Sequence, residues 1–270
     1  MKKITAKALA QAAGGVLAHE GNEPVAEHIS LDSRKMAGND LFVPIIGERA
    51  DGHDYICMAI GNGATVVFTS RHKTEGEVQE AILTQCKGDK EKETAAKAAA
   101  WICVPDTRKA LQDFGAYCRR NNPIPLVGIT GSVGKTTTRE MVAAALSAGF
   151  LVYKTPGNSN SQVGVPITVA EIPENAEIGV IELGMSEPGE MTRIANVAQV
   201  NCGVMTNIGV AHIEQLGSQE NILKEKLHIQ DGMSEKGTLF LNGDDPLLRA
   251  VVPEGGRKKV LYGLTEGCDY

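Results

Sequence analysis

The sequence predicts an α/β protein: a small N-terminal α/β domain over residues 1–106, then a mostly parallel sheet over residues 107–270 that carries a phosphate-binding loop. Three observations predict it. Apolar runs of strand length alternate with helical stretches through most of the chain. The segment GITGSVGKTTTRE (128–140) sets a glycine-bearing turn between an apolar run and a helix, an arrangement that aims backbone N–H groups at an anion. Polar residues of candidate function follow directly on the ends of apolar runs, where parallel sheets bind their ligands.

In the first domain, MKKITAKALAQAAGG reads as an amphipathic helix, and EHISLDSR, DLFVPII, ATVVFTS and WICVPD read as extended segments. DYICMAIGN is the helical stretch between the second and third of these. KGDKEKETAAKAAA (87–100) is charged and then alanine-rich, a surface helix or loop. DTRKALQDFGAYCRRN is a linking helix that ends at the break NNPIP. PLVGIT (125–130) is then a buried strand, TTTREMVAAALSAG (136–149) a helix stopped by Gly149, and LVYKT, IGVIELG, CGVMTNIG, TLFLNG and KKVLYG further strands of one sheet.

A chain of 270 residues is long enough for two cores. Its net charge of −6, without a basic cluster, excludes a nucleic-acid surface. No apolar run is long enough to span a bilayer and no signal peptide is present, so a cytoplasmic, monomeric protein without membrane insertion is expected. The six cysteines are scattered, with no metal-ligand spacing, and read as reduced thiols.

The loop fails the common glycine pattern by one residue, because counting back from Gly134-Lys135-Thr136 puts Ile129 at the first glycine position. The physical requirement is nevertheless met: small residues, then a lysine and a hydroxyl opening a helix. Glu182 follows the apolar run IGVIE and is placed either to hold Mg²⁺ or to be solvated at a strand end. His212, after CGVMTNIG, is either a structural hydrogen-bonder or a ligand. In SQENILKEKLHIQDGM, Ile222, Lys226, Ile229 and Met233 share one helical stripe, while Lys224 lies with His228, Asp231 and Glu235. Lys226 therefore points with apolar side chains, and it must snorkel, lose its proton or be chemically altered. GNSNSQVGVPIT (157–168) is a polar loop into a helix whose amides can hold a polar substrate.

Between about residues 28 and 248 these segments resemble the Mur ligases of peptidoglycan synthesis. TGSVGKTTT is similar to the family's variant phosphate loop, with Val133 where members usually carry asparagine, and Asp32-Ser33-Arg34 matches its D-S-R motif. TPGNSNSQVGVPIT, IELGMSEPGEM and TNIGVAHIEQLGSQENILKEK resemble the branch that joins D-alanyl-D-alanine to UDP-N-acetylmuramoyl tripeptide. The resemblance implies a UDP-substrate domain using Asp32, Ser33, Arg34 and Asn158. It implies an ATP site formed by Gly131, Ser132, Val133, Gly134, Lys135, Thr136, Thr137 and Asn242, and Mg²⁺ held by Thr136, Glu182 and His212. Lys135, Lys226 and His212 would be catalytic, with Lys226 carried as a carbamate. The implied chemistry is attack of the tripeptide carboxylate on ATP to form an acyl phosphate, then displacement of phosphate by the dipeptide amine. Family members have a third, C-terminal domain that this chain is expected to lack, so that it binds substrates without completing ligation. Two other classes stay open, a P-loop ATPase switch and a UDP-sugar-binding module, as does another amino-acid-adding Mur ligase.

Overall fold

Strands buried on both faces of a sheet carry near-continuous apolar runs, and helices between parallel strands must cover those faces. The computed structural model of the protein describes residues 1–270 and realises this arrangement in two units, Met1–Tyr117 and Cys118–Tyr270. The first contains β1 (Ile4–Thr5), α1 (Ala6–Ala12), β2 (Val16–His19), β3 (Val25–Ala26), β4 (His28–Ser30) and β5 (Asp40–Phe42). It continues through α2 (Ile56–Gly61), β6 (Ala64–Thr69), α3 (Glu75–Cys86), α4 (Lys90–Ala98) and β7 (Ala100–Cys103). The division between the units falls inside the linking helix, α5 (Thr107–Asn121).

The five-stranded sheet of the first unit has the order β2-β7-β6-β5-β4, parallel except for the antiparallel edge β2, and β1 pairs with β3 in a separate two-stranded ribbon. Its core gathers Phe42, Val67, Ile82 and Trp101, all essentially buried. The expected N-terminal helix is shorter than its pattern and begins only at Ala6, because Thr5 turns extended and its hydroxyl accepts the Ala8 N–H. The charged stretch before β7 forms the helix α4, anchored by the buried Ala96.

The second unit contains β8 (Leu126–Thr130), α6 (Lys135–Leu146), β9 (Val152–Lys154), α7 (Gly164–Ala170), β10 (Ile178–Glu182) and α8 (Glu190–Ala198). β11 (Cys202–Met205), α9 (Ile213–Leu216), α10 (Gln219–Leu227), β12 (Thr238–Asn242), α11 (Pro246–Arg249) and β13 (Lys258–Tyr262) complete it. All six strands are parallel, in the order β13-β12-β11-β8-β10-β9. The chain winds from β8 toward one edge and then crosses to the other side of β8. The reversal opens a crevice at the carboxyl ends of β8 and its neighbours, where such sheets bind ligands. Pairing brings Glu182 opposite Ile129 and Met205 opposite Thr130, so these strand ends are level.

Gly128 in β8 leaves little room for a side chain, since a Cβ there would lie 3.0 Å from Val200 and 3.2 Å from Ile229. That flat spot lets the 3-10 turn after α10 press Ile229 onto the sheet. α6 ends at Leu146, short of the expected stop at Gly149: the Ser147 hydroxyl bonds the Ala143 carbonyl and Gly149 lies in the turn beyond. At the start of this unit Arg119, in the last turn of α5, is buried. Its guanidinium donates to the carbonyls of Ala198 at 2.9 Å and Gln199 at 3.2 Å, and to Asn201 Oδ1 at 3.4 Å.

Candidate functional site

The loop that follows β8 is shaped by what it passes. Gly131 has φ 148°, and a Cβ there would fall 1.9 Å from Thr206 Oγ1, so no other residue fits. The Val133 carbonyl accepts from Thr206 Oγ1 at 2.6 Å, and Asn207 Oδ1 accepts the Val133 N–H at 2.9 Å. Gly134 hands the chain to α6, whose first-turn amides lack intrahelical partners and carry the positive end of the helix dipole. Lys135 bends back over the loop and donates to the Gly131 carbonyl at 2.9 Å. Burial pushes its pKa down, against the pull of the Glu182 carboxylate. The hydroxyls of Thr130 and Ser132 are buried without a hydrogen-bond partner, and that of Ser132 belongs to the lining of the loop's cavity.

Ser132, Val133, Gly134, Lys135, Thr136, Thr137, Asn158, Asn160 and Glu182 line one cavity of about 460 Å³. The structure thus brings the loop together with Glu182 and Asn158. Glu182 is 1% exposed, and its backbone N–H is fixed by Thr155 Oγ1 at 2.9 Å. Its Oε2 accepts from Thr136 Oγ1 at 3.0 Å and from Arg139 at 3.2 Å, and its Oε1 from Asn160 Nδ2 at 2.8 Å. Arg139 and Asn160 escape the sequence reading. Arg139 lies one helical turn beyond Lys135, at the spacing that puts both on one face, and Asn160 belongs to the amide cluster from which only Asn158 is singled out.

The helix that bears Lys226 is capped by Ser218, whose hydroxyl accepts the Asn221 N–H at 3.2 Å. The expected stripe holds through α10 and the following 3-10 turn: Ile222, Lys226, Ile229 and Met233 are all buried, with Lys226 at 1% exposure, and Lys224 is exposed. Among the three options for an inward lysine, burial of nearly the whole side chain favours loss of the proton or chemical alteration. The ammonium enters no hydrogen bond or ion pair, and burial, followed by repulsion from Lys135, lowers its pKa to about 7 against the pull of Glu225. Glu225 is itself buried and spoken for, since its carboxylate accepts the N–H groups of Gly189 and Met191, each at 2.9 Å, at the start of α8.

His212 is exposed and has φ 65°; its carbonyl accepts the N–H groups of Gln215 and Leu216, and its imidazole forms no hydrogen bond. It does not line the loop's cavity, and no group of three His, Cys, Asp or Glu side chains is arranged to hold a metal ion. Asn242 lines a second cavity of about 370 Å³ with Asn207, Gln219, Asp245 and others, and donates to the Thr206 carbonyl at 2.9 Å. In the first unit, Arg34 forks onto Asp32 at 2.8 and 2.9 Å and holds that carboxyl well below the usual carboxylate range. Ser33 is buried and reaches Met58 Sδ. A further buried network there, unsignalled by any motif, joins His53 Nδ1 to Asp51 at 2.5 Å and the Ser70 N–H to His53 Nε2 at 3.0 Å.

Fold and loop together define an α/β protein of the phosphate-loop class. The model of the Mur ligase middle domain matches residues 129–270, and that of the Mur ligase family catalytic domain matches residues 26–118. The chain belongs to the Mur ligase family. It is 37% identical over 250 residues to the UDP-N-acetylmuramoyl-tripeptide–D-alanyl-D-alanine ligase of Bacillus subtilis, covering 92% of this chain and 50% of that protein. It is 31% identical over 245 residues to the enzyme of the same name from Escherichia coli, covering 91% and 49%. The crystal structure of MurF from Acinetobacter baumannii superposes with a TM-score of 0.82 at 28% identity, covering 97% of this chain and 54% of that one. That of the Thermotoga maritima MurF ligase in complex with ADP gives 0.72 at 30% identity, covering 88% and 50%. The chain spans about half the length of the curated relatives it matches. None of its helices is long and apolar enough to cross a membrane.

Proposed function

We propose that the protein supplies the UDP-substrate-binding and ATP-binding parts of an enzyme that joins D-alanyl-D-alanine to UDP-N-acetylmuramoyl tripeptide. The observation that carries this reading is the buried Lys226, close enough for the Lys135 charge to bear on its pKa, in a chain whose relatives bear that activity in their names. Lys135, Thr136 and Thr137 meet the phosphates of ATP while Gly131 to Gly134 shape the loop, Asn242 meets the base, Asp32, Ser33 and Arg34 serve the UDP-linked substrate, and Asn158 lines the loop's cavity.

Mg²⁺ fits the donor set at the loop. The Thr136 hydroxyl gives its hydrogen to Glu182 and keeps its lone pairs, and Glu182 retains acceptor capacity on Oε1 beside the single Asn160 bond. When bound, the ion neutralises charge on the phosphates. Nothing in the geometry adds His212 to this set, and its assignment rests on family resemblance alone. Lys226 suits reaction with CO₂: an amine with a pKa of about 7 is substantially neutral at physiological pH, and its attack on CO₂ yields a carbamate and releases a proton. The product is an anion within the field of Lys135, in place of two cations that repel.

The tripeptide carboxylate attacks the γ-phosphate of ATP, ADP leaves, and the resulting acyl phosphate is captured by the dipeptide amine with loss of phosphate. Charge gathers on transferring oxygens in both steps, so Lys135 and the first-turn amides of α6 act mainly by position and electrostatics.

Calorimetric titration of this chain with ADP, with and without Mg²⁺, and with UDP-N-acetylmuramoyl tripeptide tests the reading. Binding of both is expected, with Lys135→Ala weakening ADP and sparing the muramoyl peptide. ADP binding without any binding of the muramoyl peptide would favour a nucleotide switch instead.

A further inference from the structure

One dipeptide beyond β11 holds the phosphate loop at two consecutive residues. The Asn207 carbonyl accepts the Ser132 N–H at 3.0 Å and its Oδ1 accepts the Val133 N–H at 2.9 Å, while Thr206 Oγ1 donates to the Val133 carbonyl at 2.6 Å. The same dipeptide is tied on its far side to the second cavity. Asn242 Nδ2 donates to the Thr206 carbonyl at 2.9 Å, Asp245 Oδ2 accepts the Ile208 N–H at 2.7 Å, and Asn207 itself lines that cavity.

Two consequences follow from these bonds. The amides of Ser132 and Val133 are committed to Asn207 and do not face an anion, which leaves the first turn of α6 as the source of amides for a phosphate. The loop's placement is therefore set by Thr206 and Asn207, whose own placement is set partly by Asn242. We infer that Thr206 and Asn207 form a positioning brace through which a nucleoside base in the Asn242 cavity strengthens phosphate binding at the loop. A base that engages Asn242 restrains its bond to the Thr206 carbonyl, and the restraint reaches Val133 through the Thr206 hydroxyl and the Asn207 amide. Such coupling is reciprocal, so phosphate at the loop tightens the base equally.

The brace rests on the reading of the two cavities as one nucleotide site, and the experiment separates the two ideas. Adenosine and inorganic pyrophosphate, with Mg²⁺ present, are titrated singly and together into the chain by calorimetry. Adenosine is expected to tighten pyrophosphate binding by about three- to tenfold, the scale of one neutral hydrogen bond. Asn207→Ala and Thr206→Val are expected to bring that factor to about one, and Thr206→Ser, which keeps the hydroxyl, to preserve it. Cooperative unfolding and an unchanged circular-dichroism spectrum show that each variant is folded, and the two variants strike different bonds of the brace. A factor of one in the unaltered chain, or an undiminished factor in the folded variants, overturns the brace. Failure of the unaltered chain to bind either compound overturns the nucleotide reading and the brace with it.

Discussion

The Thr136 hydroxyl lies 3.0 Å from the Glu182 carboxylate and joins the first turn of α6 to the end of β10. This bond fixes the direction of the hydroxyl hydrogen before any ligand arrives, so the oxygen is pre-set as an acceptor for a cation. Thr136→Val is expected to reduce the gain in ADP affinity that Mg²⁺ confers to near nothing, while Thr136→Ser preserves most of it. Titration of ADP with and without Mg²⁺ reads both variants, and an unchanged Mg²⁺ effect in Thr136→Val would falsify the assignment.

Arg139 and Glu182 form an ion pair in which both side chains are almost wholly buried. Removing one partner leaves the other charged and desolvated, a cost of about 3 kcal/mol or more. Arg139 keeps a second, more exposed carboxylate partner in Glu140, so its loss of Glu182 is partly offset. Glu182→Ala is accordingly expected to lower urea stability by about 2–3 kcal/mol, and the double replacement Arg139→Met with Glu182→Leu by less than the sum of the two singles. Additive losses would show that the pair does not act as a unit.

The pKa of Lys226, lowered to about 7, ties the stability of the second unit to pH. Between that value and the ordinary lysine range near 10.5, the unfolded chain binds a proton that the folded chain does not. Stability from this site therefore rises as pH increases through that window, by about 1.4 kcal/mol for each unit of depression, and below pH 7 the cost of burying the cation is fully present. The neighbouring charges are Lys135, which deepens the depression, and Glu225, which opposes it. Lys226→Met is expected to raise the melting temperature at pH 6 and to lose that advantage by pH 10. A pH-independent effect of the substitution would mean that the amine is solvated in the folded chain.

Glu225 caps a helix to which it does not belong, taking the N–H groups of Gly189 and Met191 at the head of α8. Glu225→Ala leaves one buried and one partly buried amide without acceptors and is expected to cost about 2 kcal/mol in chemical unfolding, within the range for lost caps. Glu225→Gln retains one acceptor oxygen and is expected to lose about half as much. Equal losses from the two variants would point to packing of the side-chain stem instead.

Features that one segment dictates by itself were legible in the chain. The phosphate loop could be read despite its irregular glycine spacing because a strand, a glycine turn and Lys135-Thr136 are contiguous, and Lys226 could be read because helical periodicity alone assigns its face. Residues whose role comes from a distant partner were not: Arg139 meets Glu182 across 43 residues and Glu225 meets Gly189 across 36. The helix α3 did leave a local sign, the reciprocal capping of Thr74 and Glu77, that the pattern of apolar runs overlooks. The buried His53 network left none, since Asp51, His53 and Ser70 are unremarkable until the end of β6 brings Ser70 to the imidazole.

Arg119 gives the junction between the two units a practical meaning for anyone dissecting the chain. Its guanidinium satisfies carbonyls at the far end of α8, although the arginine itself sits in a helix that begins at Thr107. An excised C-terminal fragment started at the first strand, near residue 125, would lose the arginine that pairs these carbonyls and the helix that covers them. One started at residue 107 would keep the whole helix as its lead-in and is the truncation expected to express in folded form.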